Sequence, residues 1–144
     1  MTFAERFRGV PGHHFEQGFD LRLWPERLDL PRRWKKPRRI FVNSMSDLFH
    51  KSVDDNYISQ VFDVIRRCPQ HTFQVLTKRA DRMATFFRTH DVPRNAWMGV
   101  SVEDRKYGVP RIGGLRKVDA RIRFLSVEPP LEDVGELNLT DIQW

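Results

Sequence analysis

Cysteine is almost missing from this sequence, because Cys68 is the single one among 144 residues. One thiol excludes an intramolecular disulfide framework and a metal site built from several cysteines. The adjacent His13 and His14 have no carboxylate or cysteine at a ligand spacing, so a loop is favoured there over a metal site. We therefore predict no metal site formed by these residues.

Long hydrophobic runs are missing as well. Residues 1–6 have no apolar signal core, and no run in the sequence approaches the length of a membrane span. A lone cysteine in a strongly charged chain is typical of a reducing compartment. We expect a cytoplasmic protein that does not bind membranes.

Acidic residues are fewer than basic ones, with 19 Asp and Glu against 25 Lys and Arg, a net charge of +6 and a pI near 10.0. This balance favours polyanionic partners such as nucleic acid, although a basic surface can also serve solubility alone. The hydrophobic share of 40% excludes global disorder. The length suits one domain, and we predict a single domain over residues 1–144.

Short apolar runs that end abruptly in polar side chains recur along the chain. They are residues 40–42, 73–76, 97–100 and 122–125, and residues 19–24 add a strictly alternating fifth run. Runs of this length and composition indicate strands, and the segments between them carry helical patterns. We predict an α/β fold with parallel strands alternating with helices, a partial TIM-barrel-like (β/α) sheet of about five strands.

The clearest helix follows the first of these strands. Ile58, Val61, Phe62 and Ile65 recur at helical spacing and predict one buried face. The Ser-Val-Asp-Asp sequence at residues 52–55 is a capping-box pattern, which predicts that Ser52 caps this helix.

Polar side chains follow each predicted strand at its carboxyl end, and parallel strands bring these ends to one edge of a sheet. They are Asn43, Ser44, Ser46, Asp47, Thr77, Lys78, Arg79, Ser101, Glu103, Ser126 and Glu128. Hydroxyls beside carboxylates suit a ribose or a small polar ligand, Lys78 and Arg79 suit a carboxylate or phosphate, and Glu103 with Glu128 could form an acid/base pair. The alternative is that they cap helices and loops. That alternative is favoured for any single residue, but the repetition favours a ligand site.

A basic run at residues 32–39 precedes the first of the four core strands. Trp34, Lys35, Lys36 and Arg38 are its candidate nucleic-acid contacts, through phosphate binding and base stacking on Trp34. The alternative, favoured for an isolated run of this kind, is a solvated connector whose tryptophan covers the core.

Four stretches of the sequence resemble a known family: RWKKPRRIFVNSMSDLFH, QHTFQVLTKRADRM, WMGVSVED and RIRFLSVEPPL. The family comprises phage-associated and bacterial proteins that carry a three-cysteine motif. Its members resemble radical S-adenosylmethionine enzymes and, more distantly, spore photoproduct lyase. The resemblance covers residues 4–144. It implies a barrel-like (β/α) fold with a 4Fe-4S cluster and S-adenosylmethionine at the carboxyl ends of the strands.

The resemblance also implies roles for individual residues. Cofactor binding would fall to Asn43, Ser44, Thr77, Ser101 and Glu103, and catalysis to Asp47, Lys78 and Glu128. Family members carry the cysteines upstream of a Tyr-Ala-Glu-Arg segment, whereas this sequence begins close to the matching Phe3-Ala4-Glu5-Arg6. Members also continue beyond the position of Trp144. The resemblance therefore implies a chain truncated at both ends.

Three functional hypotheses follow. The first is a fragment of a radical-S-adenosylmethionine-like protein whose ancestral chemistry acted on a nucleic acid or nucleotide. Without the cysteine motif we expect neither the cluster nor S-adenosylmethionine to bind stably, and whether this chain is an enzyme stays open. The second is a non-catalytic, basic nucleic-acid-binding module. The third is a fragment without a biochemical role.

Overall fold

The computed structural model describes residues 4–13, 16, 23–42 and 46–144. Its centre is a sheet of four parallel strands in the order β1-β2-β3-β4. The strands are β1 (Arg39–Val42), β2 (Thr72–Thr77), β3 (Ala96–Ser101) and β4 (Ile122–Ser126). The helices are α1 (Leu30–Arg33), α2 (Asp55–Arg66), α3 (Ala80–Phe86) and α4 (Arg111–Arg116). Short 3₁₀ turns occupy Ala4–Phe7 and Pro25–Arg27. The predicted α/β class and the parallel strands are confirmed.

The strands present two unlike faces because side chains alternate along an extended chain. Val75, Met98 and Val100 point to one face and are fully buried. They belong to a single core cluster with apolar side chains of α2, α3 and α4, so the helices cover this face. Consecutive neighbours joined by right-handed crossovers place their helices on one side of the sheet, as in part of a (β/α) barrel. Trp97 and Phe124 lie on the opposite face.

Helix α2 carries the apolar face that its spacing predicts. Ile58, Val61, Phe62 and Ile65 are all buried. The predicted cap at Ser52 is wrong, because Asp54 is the N-cap and its carboxylate accepts the Tyr57 N–H at 2.7 Å. Asp54 is the residue with extended backbone immediately before the first helical residue, which is where a side chain can reach the free N–H groups of the first turn.

Helices α3 and α4 approach each other closely. The contact is made at Gly114, where a Cβ atom would lie 2.7 Å from Cβ of Ala80. Two residues with small side chains therefore allow the two helix backbones to pack together. Gly113, the neighbouring residue, faces open space.

One predicted strand falls mostly outside the described residues. Of residues 19–24, only Leu23 and Trp24 are described, and neither lies in a strand. The described sheet has four strands rather than about five.

The C-terminal residues lie along the outer edge of β4. The Trp144 N–H donates to the Arg123 carbonyl at 3.3 Å, and the Trp144 carbonyl accepts the Leu125 N–H at 2.9 Å. This is the hydrogen-bond pattern of a parallel partner, because one residue bonds to both neighbours of the residue opposite it. Among the described residues, no helix is long and apolar enough to cross a membrane.

Candidate functional site

Polar side chains gather at the carboxyl edge of the sheet. Six of them form a connected group, which we call the rim cluster: Asp47, Thr77, Lys78, Arg79, Glu103 and Arg111. The loop after β1 supplies Asp47, the end of β2 supplies the next three, and the β3–α4 connection with the start of α4 supplies the last two. The parallel strand order produces this convergence, since all four strands end on the same side.

Asp47 is held by several donors. Its Oδ1 accepts the Thr77 hydroxyl at 2.7 Å and the Phe49 N–H at 2.9 Å. Its Oδ2 accepts the Lys78 N–H at 3.0 Å and pairs with Arg79 at 2.8 Å. A carboxylate with this many donors is held in one orientation. Asp47 therefore fixes the loop after β1 against the end of β2.

Thr77 completes that connection from inside. Its side chain is buried, its hydroxyl donates to Asp47, and its oxygen accepts the Arg79 N–H at 2.9 Å. Because the only hydroxyl hydrogen is already engaged, Thr77 can orient neighbouring groups but has no second hydrogen to donate.

Glu103 is the buried acid of the cluster, with 4% of its surface exposed. Its Oε2 accepts Nη1 of Arg111 at 2.6 Å, and Arg111 also donates to the Ser101 carbonyl at 2.7 Å. Its Oε1 pairs with the ammonium of Lys78. Both carboxylate oxygens of Glu103 therefore face a cation, and each keeps lone-pair capacity for one further donor.

The protonation of Glu103 is set by opposing effects. Burial acts to raise the pKa of its carboxyl, because it removes water from the charged form. The hydrogen bonds and charges of Lys78 and Arg111 outweigh burial and hold the pKa below its usual value. Glu103 is thus a carboxylate at neutral pH, and it is suited to accept hydrogen bonds rather than to donate a proton.

The loop that follows Glu103 is tightly folded. The Asp104 carboxylate accepts the N–H groups of Tyr107 and Gly108, and these bonds lower its pKa. Gly108 packs against the chain of residues 102–104: a Cβ there would lie 2.7 Å from the Asp104 carbonyl oxygen and 2.8 Å from the Glu103 nitrogen. Only glycine fits without moving the backbone that carries Glu103.

The predicted rim residues divide into three groups. The structure brings together Asp47, Thr77, Lys78, Arg79 and Glu103, and Ser101 contributes its carbonyl through Arg111. Glu128 is exposed, and its pairing with Glu103 stays a prediction. Like the side chains of Ser46 and Ser126, its side chain forms no hydrogen bond or ion pair with any described residue. Asn43 and Ser44 lie outside the described residues.

Two arginines of this edge were not predicted. Arg111 contacts Glu103 from the first turn of α4. In the sequence, the only signal for this contact is that an arginine directly follows Pro110. Arg82 on α3 donates to carbonyls of the loop between β1 and α2, among them that of Phe49 at 3.2 Å, and pairs with Asp55 at 2.9 Å. Arg111 and Arg82 thus attach loops of the rim to α4 and α3.

The predicted nucleic-acid residues lie at the opposite edge of the sheet. Trp34 is half-buried, with the Arg38 guanidinium 4.6 Å above its ring, and its ring meets that of His71 edge to face at 6.1 Å. Lys35 and Lys36 are exposed. Trp34 therefore packs against the buried His71 at this edge, while the cations around it face solvent.

A groove of about 710 Å³ also lies at that opposite edge, at the amino ends of β2, β3 and β4. It contains none of the rim cluster. The chemistry of the rim is nevertheless the better candidate for a small-ligand site, because among the described residues a buried carboxylate paired with an exposed lysine lies only at the rim.

A model of a family described as "Protein of unknown function (DUF5131)" matches residues 1–144. The chain belongs to the DUF5131 family. No curated protein and no solved structure matches it.

The residues of this DUF5131 chain do not fit an iron–sulfur cluster. Such clusters are held by several thiolates, and the sequence has one cysteine. Cys68 is buried just after α2, at the edge of the sheet opposite to the rim, and burial raises the pKa of its thiol. Within the part of the chain that the structure describes, no group of three His, Cys, Asp or Glu side chains could hold a metal ion.

Proposed function

We propose that the rim cluster is the nucleoside-binding part of a radical-S-adenosylmethionine-like fold, and that it binds the adenosyl and methionyl groups of S-adenosylmethionine or S-adenosylhomocysteine. The observation that carries the proposal is the Lys78–Glu103 pair. Glu103 is buried, and Lys78 pairs with its Oε1 while most of the lysine side chain is in solvent. The rim cluster therefore presents the Glu103 carboxylate and the Lys78 ammonium next to each other at the carboxyl edge of the sheet, where ligands bind in such folds.

The chemistry of the ligand matches these two groups. Glu103 is an acceptor and suits the ribose hydroxyls, which are donors. Lys78 is an exposed cation and suits the methionyl carboxylate. Asp47 and Thr77 are occupied by protein donors, so we assign them to orienting Lys78 and Arg79 rather than to contacting the ligand.

The proposal is confined to ligand binding. When held by a cluster, S-adenosylmethionine is a source of radicals, but the residues of this chain supply no cluster and we derive no reaction step from them. Because the methionyl end would lack its metal anchor, we expect weak binding, with a Kd of about 0.1–1 mM.

Ligand-detected saturation-transfer NMR tests the proposal with two ligands, S-adenosylhomocysteine and adenosine. Glu103→Gln should weaken both ligands by about tenfold or more, because both carry the ribose and a hydrogen bond to a charged group is lost. Lys78→Ala should weaken S-adenosylhomocysteine by about fivefold and leave adenosine unchanged, because adenosine has no carboxylate.

Matched controls separate the site from general charge effects. Glu136→Gln and Lys117→Ala make the same charge changes at exposed positions outside the rim cluster, and both ligands should bind them as they bind the unmodified chain. Circular dichroism verifies that each variant is folded. Absence of binding by either ligand at millimolar concentration, or equal loss of both ligands in Lys78→Ala, would contradict the proposal.

A further inference from the structure

The groove at the amino edge of the sheet is strongly basic. Arg66, Arg94 and Arg121 line it. Arg66 is neutralised by Asp63 at 2.8 Å, but neither Arg94 nor Arg121 forms an ion pair with a described residue, and both are exposed. The groove therefore presents uncompensated positive charge.

Aromatic surface accompanies this charge. Trp97 lines the groove from the sheet face opposite the helices. On that face its ring meets the ring of Trp144 edge to face at 6.0 Å, and the Arg39 guanidinium lies 5.2 Å from its centre. Asp91 and Asp119 are the acids nearest in sequence to Arg94 and Arg121, and neither forms an ion pair with them. Cations interleaved with an aromatic ring are the features that hold phosphates and bases together.

The basic run around Trp34 borders the same groove. His71 connects the basic run to the groove. It lines the groove, its Nδ1 accepts the Arg38 N–H at 3.1 Å, and its Nε2 lies 2.9 Å from the Pro31 carbonyl. A buried histidine with bonds on both ring nitrogens fixes this connection. Lys35, Lys36 and Arg38 thus extend the positive surface beyond the groove itself.

We propose that this surface, which we call the amino-edge groove and define by Arg94, Trp97, Arg121 and the bordering Lys35, Lys36 and Arg38, binds single-stranded nucleic acid. Phosphates would pair with the arginines and lysines, and an unpaired base would stack at Trp97. A single strand is favoured over a duplex because the ring lies in a concave groove, which the edges of paired bases do not enter. The site is independent of the rim cluster at the other end of the strands.

Fluorescence anisotropy tests the inference with a labelled oligothymidine of about 12 nucleotides, its RNA counterpart and a duplex of the same length, between about 50 and 200 mM salt. The double variant Arg94→Ala/Arg121→Ala removes two exposed phosphate partners. The slope of log affinity against log salt should fall by about 1.4, since each phosphate contact on a single strand contributes about 0.7.

Two further variants make the result specific. Lys51→Ala/Lys106→Ala removes the same charge from exposed positions near the carboxyl edge, and it should leave the slope unchanged. Arg94→Lys/Arg121→Lys keeps the charge and should also preserve the slope, because the counterion term depends on charge rather than on side-chain shape.

The anisotropy results that support the groove differ from those that overturn it. Salt-sensitive binding of DNA or RNA single strands that weakens only in the Arg94/Arg121 alanine variant supports the groove. Undetectable binding at low salt, an equal loss in the Lys51/Lys106 control, or tighter binding of the duplex than of either single strand overturns it. Glu103→Gln should bind the oligonucleotide normally, so failure of the rim proposal would leave this result unaffected.

Discussion

The two consecutive glycines of α4 provide a sharp test of the packing. In a helix, replacing glycine by alanine gains about 0.8–1.0 kcal/mol of stability through backbone conformation alone. At Gly113 the new methyl group meets nothing within 4 Å, so the full gain is expected. At Gly114 it would lie 2.7 Å from Cβ of Ala80, and overpacking of this kind costs about 1–3 kcal/mol.

The difference between the two variants isolates the steric cost, since both share the backbone gain. Gly114→Ala should be less stable than Gly113→Ala by about 1–3 kcal/mol in urea unfolding followed by circular dichroism. Adding Ala80→Gly to Gly114→Ala should return part of the loss, with a coupling energy of about 0.5–3 kcal/mol. Equal stability of the two single variants within about 0.5 kcal/mol would mean that α3 and α4 do not approach as described.

Three further predictions concern the polar groups. Asp54→Ala should lower the free energy of unfolding by about 0.5–2 kcal/mol through loss of the α2 cap, and Asp54→Asn should retain most of it; equal losses in both variants would contradict the cap. Asp47→Ala should cost about 1.5–3 kcal/mol by releasing the β1 loop from β2, whereas a cost no larger than that of Asp63→Ala at the surface would argue against this contact. The folded-state pKa of Glu103 lies below 4.5, so its contribution is present above that pH and is lost as the pH falls through the folded pKa. The difference in the free energy of unfolding between the unmodified chain and Glu103→Gln should therefore shrink in urea titrations from pH 7 to pH 3. A difference that grows on acidification would contradict a stabilising Glu103 carboxylate.

The strands could be predicted because their composition and burial agree. The central strands β2 and β3 are buried on the helix-covered face, so β-branched and aromatic residues concentrate in them. The sequence pattern that indicates a strand is therefore strong. Helix α2 could be predicted for a similar reason, since one apolar face at helical spacing has few alternative explanations. Convergence of Asp47, Lys78 and Glu103 followed from parallel order alone.

The partners of those residues could not be predicted. Arg111 lies on α4 and Arg82 lies on α3, and a loop separates each of them from its partner at the rim. A contact of this kind produces no periodic pattern in the sequence. The cap of α2 was misplaced at Ser52 because Ser52 and Asp54 are both good capping residues, and only the position of the first turn decides between them. The groove was missed because Arg94 and Arg121 come together only through the sheet register.

Gly108 shows how a residue without functional groups can control the chemistry of this edge. Its missing side chain leaves the space that the main chain of residues 102–104 occupies. In a saturation mutagenesis screen for ligand binding, position 108 should therefore score as intolerant as Glu103 itself. A map of sensitive positions read without the structure would count Gly108 among the contacts, although a substitution there reaches Glu103 wholly through the backbone.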